Sequence, residues 1–144
     1  MTECRKVFID TVPFIYYIEK NEDNPQYFDK VKRFLMKCYD ENVQFVTSVI
    51  TMEEYMVFPY KNNKFEYIEI FENLLQTLEF DVMDIDKAKA KKASRIRAEY
   101  KAFKGMDALQ LATACETKCD LFLTNDKQLR QFEEIRCITV DELE

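Results

Sequence analysis

The stretch Arg5–Lys20, RKVFIDTVPFIYYIEK, sets two apolar runs on either side of one carboxylate. Val7-Phe8-Ile9 stops at Asp10, and a second run spans Val12–Ile18. The first run is β-branched and aromatic without polar alternation, the pattern of a short strand buried on both faces. Pro13 suits the first turn of a helix, where a missing N–H is tolerated. Arg5–Ile9 therefore reads as a strand, a helix follows to about Lys20, and Asp10 marks the seam. Asn21–Pro25, NEDNP, reads as a polar loop.

The same alternation continues outward. Pro25 to about Glu41 repeats Tyr27/Phe28, Val31, Phe34/Leu35 and Cys38 at helical spacing. Val43–Ser48 is a second buried strand, and Thr51 to about Phe58 is helical, with Pro59 as its stop. Phe65–Leu78 is an amphipathic helix, Phe80–Ile85 (FDVMDI) a third strand, and Asp86 a good helix N-cap. In the next helix Ala93, Ile96, Tyr100 and Phe103 face the core, which places the lysines and arginines outside, and Gly105 breaks it. Met106–Glu116 is apolar almost all round. Asp120–Thr124 is a fourth strand, Asp126–Phe132 a short helix, and Arg136–Val140 a last edge strand. Strands separated by helices imply βαβ units and a mainly parallel sheet of four to five strands with helices on both faces. Residues 1–144 are expected to form a single domain.

Composition narrows the chemistry. The 47% hydrophobic content supports a packed core, and the single Gly and three Pro leave no room for a flexible linker. There is no histidine, which excludes Ser-His-Asp and Cys-His catalysis and imidazole-based zinc sites. Cys4, Cys38, Cys115, Cys119 and Cys137 show no CxxC spacing and read as reduced thiols of a cytoplasmic protein. No signal peptide or membrane-spanning apolar run is visible, so no membrane partner is expected. The net charge is −6, yet Lys87, Lys89, Lys91, Lys92, Arg95, Arg97, Lys101 and Lys104 gather along one segment against the single acid Glu99. Such a stripe can bind phosphates, although a solvated helix face accounts for most of its members.

In parallel sheets of this kind ligands collect outside the carboxyl ends of the strands. Asp10, Glu54, Asp107 and Asp126 are expected at that edge. Each has an ordinary reading: Asp10 and Asp126 as helix caps, Asp107 as a complement to a helix dipole, Glu54 as a solvated residue beside Glu53. Together they repel one another unless they protonate, disperse or bind a cation. Oxygen-only ligands suit Mg²⁺ or Mn²⁺, and one or two such ions can activate water against a phosphodiester.

Four blocks then carry a family resemblance. FIDTVPFIYYIE, VTSVITMEEY, KGMDALQLATA and LFLTNDKQL occur in the order found in PIN domains. The chain resembles that family, and within it the VapC-type toxin ribonucleases, from about Val7 to Val140. The resemblance implies a three-layer α/β/α sandwich and Mg²⁺- or Mn²⁺-dependent cleavage of RNA. It implies Asp10, Glu54, Asp107 and Asp126 as metal-holding catalytic acids. A one-residue shift would exchange Glu54 for Glu53, and the spacing from Ser48 favours Glu54. Thr124 and Asn125 are expected to shape the metal and water site. Thr11 and Ser48 are expected either to support the carboxylates or to cap the following helices. Lys101 and Lys104 are the candidate RNA contacts, and an antitoxin and a second copy of the chain are the expected protein partners.

Two other readings compete. In one, the fold is kept as a non-catalytic nucleic-acid- or protein-binding module, using Phe14, Tyr16, Tyr17 and the helix from Phe65 as an interface. In the other, Asp10 opens a phosphatase or phosphoreceiver site. A haloacid-dehalogenase-type phosphatase needs a second Asp two positions on, where this chain has Val12, and no receiver-type acidic cluster is clear.

Overall fold

The computed structural model describes residues 4–20 and 24–144; the first three residues of the expected Asn21–Pro25 loop lie outside them. The elements, in chain order, are β1 (Lys6–Ile9), α1 (Thr11–Glu19), α2 (Pro25–Asp40), β2 (Gln44–Ser48), α3 (Val49–Lys61), α4 (Phe65–Thr77), β3 (Asp81–Met83), α5 (Lys87–Glu99), α6 (Gly105–Glu116), β4 (Leu121–Thr124) and β5 (Arg136–Thr139). Short 3₁₀ turns, Lys127–Gln131 and Val140–Glu142, follow β4 and β5.

The five strands pair in parallel in the order β3-β2-β1-β4-β5. Successive residues of a strand point to opposite faces, and this sorts the core into two layers. Val7, Ile9, Phe45, Leu123 and Ile138 pack with Phe14, Leu35, Tyr55 and Phe71 from α1–α4. Phe8, Val46, Phe122 and Cys137 pack on the other face with Ala93, Ile96, Ala108 and Leu111 from α5 and α6. The result is the expected three-layer α/β/α sandwich.

Chain order turns back at the centre of the sheet. From β1 the chain moves out through β2 to β3, then returns to place β4 on the other side of β1. The β1/β4 boundary is therefore the topological switch point, where parallel sheets leave a crevice at their carboxyl ends.

Three local expectations are corrected. Pro59 does not end α3, which runs on to Lys61. A proline forfeits one helical hydrogen bond and crowds the preceding turn. Here its ring is buried, and the last turn is closed by the Asn62 N–H to the Phe58 carbonyl (3.1 Å) and the Lys64 N–H to the Pro59 carbonyl (2.8 Å). Gly105 does not break the basic helix; α5 ends at Glu99 and Gly105 is the first residue of α6. Lys89 does not lie outside. It is 5% exposed, and its ammonium donates to the Asp84 carbonyl at 2.6 Å beside the Asp86 carboxylate.

The residues weighed as an interface divide between core and surface. Phe14 is buried, Tyr16 and Tyr17 are half-buried against the same layer, and in α4 Ile68, Phe71 and Leu75 are buried while Phe65 and Ile70 are exposed. Among the described residues no helix is long and apolar enough to cross a membrane. The five cysteines carry free thiols, and burial pushes Cys38 and Cys137 up to about 12 and Cys115 and Cys119 up to about 11. Such thiols stay protonated at neutral pH and are poor nucleophiles.

Candidate carboxylate site

Asp10 sits at the switch point, and its backbone is held there by its own N–H, which donates to the Leu123 carbonyl of β4 (2.9 Å). It is the N-cap of α1: its Oδ1 accepts from the Thr11 N–H at 2.9 Å. Gln110 Nε2 donates to the same oxygen at 3.3 Å, and the Thr124 hydroxyl donates to Oδ2 at 2.8 Å. The cap and the site are thus one arrangement. Burial raises the Asp10 carboxyl from its ordinary value to about 6 despite these three donors, and nearby Asp107 pushes in the same direction.

The other acids reach the same edge from separate elements. Asp107 is the third residue of α6 and half-buried; its carboxyl is raised by burial first, then by the charges of Asp126 and Glu54. Glu54 is the sixth residue of α3, two residues further into the helix than the expected start at Thr51 gives, because the helix starts at Val49. Its Oε1 accepts from the Thr11 hydroxyl at 2.7 Å. Neighbouring Glu53 makes no such contact among the described residues. Asp126 is exposed and caps the 3₁₀ turn through the Gln128 N–H (3.0 Å), as its ordinary reading has it.

The flanking polar residues take distinct positions. Thr124 receives the Asp126 N–H at 3.1 Å while donating to Asp10, so it couples the two acids. Asn125 donates to the Tyr16 hydroxyl (2.7 Å), and its buried Oδ1 has no protein partner among the described residues. Thr11 supports Glu54. Among the described residues Ser48 makes no hydrogen bond to a carboxylate; it caps α3 through the Ile50 N–H (3.1 Å) and donates to Gln110 Oε1. Lys104, at the N-cap of α6, lies near enough to favour the Asp107 charge. Lys101 is exposed.

Sequence reading overlooked Gln110, which is 2% exposed and tied to Asp10, Ser48 and Thr51. Its one signal was a long polar side chain in the middle of a segment apolar almost all round. Ser48 is fully buried, and Ser48→Ala removes both a cap and the partner of a buried carbonyl. The expected cost is about 2 kcal/mol, read from urea unfolding; a loss below a few tenths contradicts this assignment.

Among the described residues no three acidic or thiol side chains converge on one point closely enough to hold an ion. None of the four acids forms an ion pair among those residues either. The site is a set of mutually repelling carboxylates with hydroxyl and amide support. Its oxygen donors suit a hard divalent cation, and the repulsion focused on Asp107 is what such a cation would relieve.

The PIN domain profile matches residues 7–135. The chain belongs to the PIN domain family. Its fold is shared with a toxin–antitoxin complex from Klebsiella pneumoniae at 24% identity and a TM-score of 0.70, over 93% of this chain and 97% of that one. VapBC2 from Rickettsia felis, bound to a DNA fragment from its promoter, gives 15% identity and a TM-score of 0.75, over 93% and 98%. FitAB bound to the IR36 DNA fragment gives 19% and 0.72, over 96% and 97%. No curated protein matches the sequence. At these identities the solved structures establish the shared PIN architecture.

Proposed function

We propose that this PIN domain is a Mg²⁺- or Mn²⁺-dependent endoribonuclease and the toxin of a toxin–antitoxin pair. The observation carrying this reading is the set of four acids, from four elements, at the carboxyl edge of the switch point without a compensating ion pair among the described residues. Asp10, Glu54, Asp107 and Asp126 would hold one or two ions. A divalent ion held there supplies Lewis-acid activation of the phosphodiester and of the attacking water. Thr11, Thr124 and Gln110 orient the carboxylates. Lys104, which favours the Asp107 charge, and the exposed Lys101 would draw in the RNA backbone. The likeness to toxin–antitoxin complexes supports the toxin assignment and an antitoxin partner, and a homodimer is the expected assembly.

Metal dependence is tested by cleavage of single-stranded RNA with Mn²⁺, Mg²⁺ or EDTA. Cleavage with either ion and none in EDTA is expected; equal cleavage in all three removes the ion from the mechanism. Mn²⁺ should also stabilise the fold. At a hundredfold excess over Kd the gain is about 2.7 kcal/mol, or about 5–10 °C in Tm. A melting temperature indifferent to saturating Mn²⁺ favours the non-catalytic binding module. Expression of the wild type, but not of Asp10→Asn, should arrest growth of the host.

A further inference from the structure

Gln110 makes three hydrogen bonds from a side chain that is 2% exposed. Its two N–H groups go to Asp10 Oδ1 (3.3 Å) and Thr51 Oγ1 (2.8 Å), and its carbonyl accepts from the Ser48 hydroxyl. The proton directions are fixed by partners that can play one part only. Ser48 Oγ accepts from the Ile50 N–H and donates its own proton to the Gln110 carbonyl. The Thr47 hydroxyl serves the Ile9 carbonyl at 2.8 Å, and a carbonyl can only accept. The Thr47 and Thr51 hydroxyls are 2.8 Å apart, so the proton between them is Thr51's. Thr51 is left to accept from Gln110. The amide orientation is set by Asp10: reversal would turn the Gln110 carbonyl toward a carboxylate that, when ionised, only accepts.

This network joins β1, β2, α3 and α6, and it ends on the carboxylate and on the carbonyl of the residue before it. Gln110 and Thr124 each donate to a different oxygen of Asp10. Thr124 is tied to β4 by sequence, whereas Gln110 reaches across from α6, the helix that carries Asp107. We propose that Gln110 is the positioning residue that fixes the Asp10 carboxylate relative to Asp107, through a one-way hydrogen-bond chain anchored by Ser48, Thr51 and Thr47. This inference rests on the ribonuclease reading. Partners that orient a metal-holding carboxylate typically change metal affinity or activity by about 10–100-fold when removed.

The test compares wild type, Gln110→Met, Thr51→Val, Ser48→Ala, the Ser48→Ala/Gln110→Met double variant and Asp10→Asn. Mn²⁺ affinity is read by calorimetry, and kcat and KM on single-stranded RNA are read separately. Gln110→Met should weaken Mn²⁺ binding and lower kcat about 10–100-fold, with KM for RNA little changed. Thr51→Val should act in the same sense more weakly, and it carries the test should Gln110→Met fail to fold. Ser48→Ala should lower kcat alone but add nothing to Gln110→Met, because Ser48 acts through Gln110. A general loss of packing would instead add the two effects. If Asp10→Asn loses binding and cleavage while Gln110→Met and Thr51→Val keep both, the positioning role is wrong and the ribonuclease reading stands. If Asp10→Asn itself binds Mn²⁺ and cleaves like wild type, both fall.

Discussion

Asp10→Asn is expected to lose RNA cleavage by on the order of 10³-fold while becoming more stable than wild type in metal-free buffer at pH 8. The two effects have one cause. The Asp10 carboxyl is desolvated at the head of α1, and its folded value of about 6 lies above the ordinary value of 3.8. A raised folded value means that the folded protein holds its proton more tightly than the unfolded chain does. Stability at this residue is then intact below about pH 4 and declines as pH rises to about 6, for a total of about 3 kcal/mol.

Asparagine removes that charge, keeps the acceptor at Oδ1 and puts a donor in place of Oδ2. Its carbonyl can accept from Thr11 and Gln110, as Oδ1 does, and its N–H₂ can donate to the Thr124 hydroxyl once that hydroxyl turns. Chemical denaturation in EDTA should place the variant about 1–3 kcal/mol above wild type at pH 8, with the gap closing below pH 4. A variant less stable than wild type at pH 8 would show that the hydrogen bonds, not the desolvated charge, dominate at Asp10. Added Mn²⁺ should reverse the order, since the wild type gains a ligand that the variant binds weakly.

The second large effect lies beneath the site. Phe122 of β4 is fully buried and stacks on Phe8 of β1, with ring centroids 5.0 Å apart and planes parallel within 1°. These rings join the two strands that present Asp10 and Thr124. Phe122→Ala should cost about 3–5 kcal/mol, a large part of the stability of a domain this size. Urea unfolding should show a lower midpoint with an unchanged slope. A loss under 1 kcal/mol would mean that the α5–α6 layer collapses onto the vacated space.

The strand–helix alternation was legible because each strand is bounded by strong local signals. Val7–Ile9 is short, apolar and followed by Asp10, and parallel pairing buries such a strand on both faces. Pro59 misled because the rule for proline is local, while burial of its ring beside Tyr55 is a tertiary matter. Lys89 misled for a related reason. It lies four residues before Ala93, on the same helical face as Ala93 and Ile96, and spacing alone would have placed it inward. Its charge argued otherwise until Asp84 and Asp86 were seen to receive it.

At the site, Asp10, Asp107 and Asp126 could be picked out one by one, each close to where an element ends or begins, and Glu54 by its spacing from Ser48. The hydrogen bonds joining them could not, since Thr11 meets Glu54 across 43 residues and Gln110 meets Asp10 across 100. The choice between Glu53 and Glu54 depends on where α3 begins, and element boundaries are what local pattern fixes least well.

The most direct measurement is cleavage of a single-stranded RNA in Mn²⁺ by wild type and Asp10→Asn, after thermal melting has shown both to be folded. Metal-dependent cleavage by the wild type and at least a hundredfold slower cleavage by the variant is the expected result. Equal rates from the two folded proteins would take Asp10, and with it the carboxylate site, out of the chemistry.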